Sequence, residues 1–156
     1  MNTLLLSVLL LTLIMPLLSQ VETVAMRTTG ISCGVCAAVS EISLKQMTGV
    51  DRVAISLAKE TIIISYKPGA AFSPRRIREV LQPLEVGVVQ FQISARGCVQ
   101  EQGGKRFFMA GKDRFVFVAA GDAPIPRDTS IMIEAILNDR LDPMELKILS
   151  FKPLKP

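Results

Sequence analysis

Glu22 to Gly49 reads ETVAMRTTGISCGVCAAVSEISLKQMTG, and its texture changes once, at the two cysteines. Up to Thr28 the residues alternate, Val24, Met26 and Thr28 against Thr23, Ala25 and Arg27, which is the period-two mark of a strand. From Gly34 to Met47 the period becomes helical. Val35, Val39 and Ile42 share one face, Glu41 precedes Lys45 by four residues on another, and Gly49 supplies the stop. Cys33 and Cys36 therefore fall in a short loop between a strand and the start of a helix.

The same alternation of signals continues outward. Val53, Ile55 and Leu57 predict a second strand, Ala58-Lys59-Glu60 a tight turn, and Thr61 to Tyr66 (TIIISY) a β-branched third strand. Ser73 before Pro74 is an N-cap followed by proline in the first turn. Ile77, Val80, Leu81 and Leu84 make the stripe of a second helix, which Pro83 should end or kink. Val89, Phe91, Ile93 and Ala95 alternate as a fourth strand. The order β-α-β-β-α-β predicts a ferredoxin-like sandwich over residues 21–97.

From Cys98 onward no amphipathic helix of three turns is legible. Strands are predicted at Cys98 to Glu101, Lys105 to Ala110, Arg114 to Ala119, Thr129 to Leu137 and Glu145 to Phe151. Gly103-Gly104 and Lys112-Asp113 suit turns, and Pro124 to Asp128 a loop. A distorted helix over Ile131 to Leu137 is the alternative. Five strands in about 60 residues suggest a small closed barrel, because closure removes exposed edges. The expected class is α+β: a ferredoxin-like sandwich followed by an all-β, OB-like barrel over residues 98–156.

The chain has 156 residues with 18 Lys+Arg, 14 Asp+Glu, three Cys and no His. Without histidine there is no Ser-His-Asp or Cys-His nucleophile and no imidazole metal ligand. The expectation is a protein that is not an enzyme. A net charge of +4, spread along the chain, gives no reason to expect nucleic acid. Phe107, Phe108, Phe115, Phe117 and Phe151 are accordingly expected in a core rather than on a base-stacking face. Arg75, Arg76 and Arg78 read as a solvated helix face, with docking to an acidic partner or anionic lipid as the functional alternative.

Met1 to Ser19 (MNTLLLSVLLLTLIMPLLS) is apolar and uncharged. Its core from Leu4 to Leu18 is shorter than the ~20 residues of a membrane span and has the length of a signal-peptide core. Residues 1–19 are therefore expected to be a signal peptide, cut just before Gln20 or Val21, with an uncleaved membrane anchor as the alternative. Export to a periplasmic or other extracytoplasmic space places the cysteines in an oxidising environment.

At a helix start, unpaired N–H groups and the positive dipole end stabilise thiolates. Two spacer residues let both sulfurs converge on one small ion, and thiolates select soft ions such as Cu(I). Structural zinc would want four ligands. Cys98 should lie about a strand's length away from Cys33, so it is read as a small buried residue, with an intermolecular disulfide or a regulatory thiol as sharper readings.

Gly30-Ile31-Ser32-Cys33-Gly34-Val35-Cys36 resembles the GMTCxxC loop of heavy-metal-associated domains, found in copper chaperones, copper-transporting P-type ATPases and the exported mercury-binding protein. The resemblance extends over Glu22 to Arg96, through Gly49-Val50, Tyr66 and Pro68-Gly69. It implies that Cys33 and Cys36 bind Cu(I), or Hg(II) or another soft metal, and exchange it with a metal-donor or metal-acceptor protein such as a transporter. Ile31 stands where the family has Met, and Glu85-Val86-Gly87-Val88 offers neither the aromatic nor the Lys usual near the metal. A monomer or a metal-bridged dimer is expected, with the membrane met only through an uncleaved leader. The rival reading is a thiol-disulfide redox protein. Against it, the helix is followed by two strands joined by a tight turn and no Trp precedes the cysteines.

Overall fold

The computed structural model describes residues 19–118 and 124–155. The predicted leader, residues 1–18 of it, lies outside them. The elements are β1 (Gln20–Thr29), α1 (Gly34–Lys45), β2 (Val50–Ser56), β3 (Thr61–Tyr66), α2 (Pro74–Leu81) with a 3-10 turn at Gln82–Leu84, β4 (Gly87–Gln102), β5 (Lys105–Ala110), β6 (Asp113–Val118), β7 (Ile131–Asn138) and β8 (Glu145–Pro153). The first half has the expected β-α-β-β-α-β order, with neighbouring strands β2-β3-β1-β4 all antiparallel. Pro83 ends α2 in the 3-10 turn, as a residue without an N–H should.

β4 joins the two halves. It runs 16 residues without a break, so the division expected between Gly97 and Cys98 falls inside a strand. Its first part pairs with β1 on one side and β7 on the other, while Cys98 to Gln102 pairs with β5. Continuing through β5, β6, β8 and β7 returns the ladder to β4 and closes a barrel, in which β6 and β8 run parallel. The helical alternative at Ile131 to Leu137 is a strand, β7. Gly103 and Gly104 both take positive φ in the β4–β5 hairpin, the conformation a two-residue turn needs.

One core serves both halves. Met26, Ile62, Ile64, Ile77, Leu81 and Phe91 of the sandwich belong to the same buried cluster as Val99, Phe108, Phe115, Ile133 and Leu146 of the barrel. Fully burying each such side chain contributes about 1.5–3 kcal/mol. Phe107 and Phe117 are covered by guanidinium groups, Arg114 lying 3.7 Å and Arg106 4.6 Å from the respective ring centres.

Packing gives the helix stripe its direction, and one strand position departs from the expected alternation. Val35, Val39 and Ile42 do not point at the sheet: they are 74%, 42% and 58% exposed, and α1 instead buries Ser40 and Leu44, with Ala37 and Met47 packed beside them. Small Ala37 and Ser40 bring the helix close to the sheet, which a Val stripe would hold off. Val89 is also exposed. It is the extra residue of a bulge between Arg27↔Gln90 and Thr28↔Val88, and the inward series resumes at Phe91.

The arginine cluster divides. Arg75 and Arg76 both reach Glu79 on their own helix. Arg78 is structural: it bonds both oxygens of Asp139 at 2.7 and 3.0 Å, donates to Val88 O and lies over the Phe91 ring, tying α2 to the end of β7.

A second clasp sits at Asp113, whose carboxylate accepts the Phe72 N–H at 3.1 Å. Burial pushes this carboxyl above the usual range, against the opposing pull of the Phe72 bond and the Lys112 charge. The folded chain thus holds the proton more tightly than the unfolded one, so this group's contribution is fully present below the ordinary Asp pKa of about 4 and lost as pH rises through the folded value. Asp113→Asn keeps an acceptor for Phe72 and removes the charge. It should be at least as stable as the parent at pH 7, with a flatter pH dependence in urea unfolding. Lower stability with an unchanged pH slope would refute this account.

Candidate functional site

The loop from Gly30 to Cys36 leaves β1 and turns into α1. Gly30 turns with φ of 89°, and its backbone passes so close to the Glu85 carbonyl that a Cβ there would lie 2.3 Å from the oxygen. Glu85 itself takes a left-handed φ of 58°. The two loops are thereby held together at the mouth of the site. Ile31 is buried beneath them, 3% exposed, and anchors the segment to the core.

Cys33 is the N-cap of α1. Its Sγ accepts the Cys36 N–H at 3.2 Å, and its carbonyl accepts Ala37 N–H. A cap position usually filled by Ser, Thr, Asp or Asn is here held by sulfur, so an orphan N–H of the first turn points at Cys33 Sγ. No acidic residue occupies that turn to oppose the charge of a thiolate. Ser32 and Cys33 are exposed and Cys36 half-exposed. The sulfurs of Cys33 and Cys36 are bonded to one another, with Cα atoms 5.3 Å apart. Two-electron, two-proton reduction of this bond by an external thiol leaves two adjacent thiols on the surface.

Two neighbouring features complete the site. Val35, Val39 and Ile42 flank the pair with an exposed apolar strip, a face that the helical period marks without giving its direction. The facing loop brings Glu85 and Val86, neither aromatic nor cationic. Cys98 is absent from the site. β4 begins with Gly87 opposite Thr29 and carries Cys98 away along its length, where the side chain is half-exposed rather than buried.

Part of the chain is similar to known proteins. Residues 26–85 match the heavy-metal-associated domain. The copper-exporting P-type ATPase of Bacillus subtilis (strain 168) is 34% identical over 85 residues, covering 52% of this chain and 10% of that protein. The chain thus spans about a tenth of the length of this curated relative. Among solved structures, a CopZ metallochaperone is covered entirely and matches 44% of this chain at 19% identity, with a TM-score of 0.40. The solution structure of a copper-bearing CopA variant from Bacillus subtilis is covered over 93% of its chain and matches 46% of this one at 36% identity, also with a TM-score of 0.40.

Proposed function

Residues 26–85 form a heavy-metal-associated domain, and from that premise we propose that the protein captures a soft metal ion between Cys33 and Cys36 and passes it to a partner protein. The observation that carries this reading is the placement of the two sulfurs, adjacent and accessible at the start of α1, with Cys36 N–H donating to Cys33 Sγ. A thiol reductant supplies two electrons and two protons to open the disulfide. Each thiol then releases its proton as its sulfur meets the ion. Cu(I) is the ion proposed, in keeping with the copper-handling relatives; Hg(II) shares the preference for two thiolates. The ion leaves by stepwise exchange, as an incoming partner thiolate makes a three-coordinate intermediate before one of the two cysteines lets go. The exposed Val35-Val39-Ile42 strip gives an acceptor such as a metal transporter a surface beside the sulfurs.

The barrel is proposed to be of OB type, on its five-strand closure and the parallel β6–β8 pair, with a stabilising or docking role. Export is proposed from the apolar first 19 residues. Ser19 bears on where a leader is cut: its Oγ bonds Arg96 O, Met109 O and Gly111 N, and Gln20 beside it bonds Lys67 O and Gly69 N. Processing before Ser19 keeps all of these.

The test is made in a Cys98→Ser background, reduced and under anaerobic conditions. That chain should take up one Cu(I), and adding Cys33→Ser and Cys36→Ser should abolish uptake. Undiminished uptake by the triple variant sinks the assignment. The bonded Cys33–Cys36 pair supports a second reading, thiol-disulfide exchange, and robust turnover in an insulin-reduction assay would favour it over metal transfer.

A further inference from the structure

The inward series of β4 runs Phe91, Ile93, Ala95, Gly97 and Val99, so Ser94, Arg96, Cys98 and Gln100 project from the opposite face. Side-chain contacts agree: Gln100 Nε2 lies 3.9 Å from Cys98 Sγ, and Ser94 Oγ lies 3.7 Å from Met132 Sδ. Across the ladder, Cys98 stands directly opposite Met109 of β5. Residues so paired have Cβ atoms about 4.5–5.5 Å apart on one face. Met132 of β7 stands opposite Arg96, one rung from Cys98 on the other side, a diagonal of roughly 7–8 Å. Cys98, Met109 and Met132 are all half-exposed, open to solvent yet held by the sheet.

This is a cluster of soft donors. A thiol and a thioether on neighbouring strands, with a second thioether within reach of a flexible side chain, favour Cu(I) over harder cations. Harder ions have no comparable donor set: among the described residues no three His, Cys, Asp or Glu side chains come together. The nearby Glu22 carboxylate is engaged by Arg96 at 2.8 Å. Glycine at position 97 lets β4 and β5 close tightly beside the pair, since the Met109 carbonyl occupies the space a Cβ would take.

We propose that the outer face of the barrel carries a second soft-metal site, in which Cys98 Sγ and Met109 Sδ bind Cu(I). The Cys98 thiol releases its proton on binding and Met109 contributes a neutral thioether, giving an uncharged complex. The site works without Cys33 and Cys36. Eleven residues of strand, roughly 36 Å, separate Cys98 from the cysteine loop, too far for one ion to bridge. The reduced chain therefore holds two ions.

The experiment uses the reduced full chain titrated anaerobically with Cu(I) against bicinchoninate. The Cys33→Ser, Cys36→Ser chain should retain one equivalent, with only sulfur bound to the metal by X-ray absorption. Adding Cys98→Ser should remove that equivalent. Adding Met109→Leu instead, which conserves volume, should weaken binding at least tenfold while the circular dichroism spectrum stays unchanged. Absence of Cu(I) uptake by the Cys33→Ser, Cys36→Ser chain overturns the proposal, as does full affinity in the Met109→Leu variant. Because the Cys98→Ser chain reports separately on Cys33 and Cys36, failure of either site is distinguishable from failure of the other.

Discussion

Gly97→Ala is expected to destabilise the chain by about 3 kcal/mol or more, lowering its melting temperature by roughly 10 °C. The added methyl would meet the Met109 carbonyl oxygen at 2.1 Å, its carbon at 2.9 Å and Phe108 Cζ at 2.9 Å. Two of those atoms are backbone of a paired strand, and the third belongs to a fully buried ring. Neither side can retreat cheaply. The Met109 carbonyl is also held by Ser19 Oγ, which bonds Arg96 O as well, so the start of β1, the middle of β4 and the end of β5 meet at this point. A glycine where a strand passes from an open sheet into a barrel commonly marks such a close approach. Since sandwich and barrel share one core, the loss should appear in a single thermal transition rather than in one half of the molecule. A Gly97→Ala chain within 0.5 kcal/mol of the parent in urea unfolding would show that the strands separate more easily than this packing allows.

The same residue explains what is hard to read in the sequence. The succession of strands along both halves is legible because alternation and turn residues agree locally: β5 occupies Lys105–Ala110 as predicted, after a Gly-Gly turn. Gly97 resembles punctuation between two units, and a linker glycine and a corner glycine are identical in a string of letters. Only the pairing of β4 with β1, β5 and β7 separates them. Carrying the alternation of Phe91, Ile93 and Ala95 through Gly97 to Val99 turns Cys98 outward instead of burying it. Its partner Met109 cannot be found that way, because register across a ladder is set by tertiary pairing.

At the cysteine loop the position of the chemistry is legible and the direction of the helix is not. Cys33 and Cys36 sit at the start of α1 as the change of period indicates. The Val35, Val39 and Ile42 strip is visible too, yet periodicity identifies a face without saying what covers it. Here the buried side is the less hydrophobic one, lined by Ala37 and Ser40 beside Leu44. That inversion places an apolar surface next to exposed sulfurs, where an approaching partner would meet it.

Gly30→Ala is the second substitution expected to have a large effect, and Gly34→Ala, four residues along the same loop, is its control. At Gly30 the backbone has φ of 89°, a region costing an L-residue about 1–2 kcal/mol. A Cβ would in addition lie 2.3 Å from the Glu85 carbonyl oxygen. Strain and overlap together should destabilise the fold by about 3 kcal/mol, or push the cysteine loop away from the facing loop. Either response changes how Cys33 is presented to Cys36, so Cu(I) affinity at that pair, measured in the Cys98→Ser background, should fall about tenfold, a loss of ~1.4 kcal/mol. Gly34 has ordinary φ and no neighbour within 4 Å of the place a methyl would take, so Gly34→Ala should change stability by less than about 0.5 kcal/mol and leave affinity intact. Equal behaviour of the two variants would mean that the contact with Glu85 does not set the loop. A selective loss at Gly30 would show that the cysteine pair is shaped from outside the Cys-Gly-Val-Cys segment, by a backbone contact that no side chain at those positions supplies.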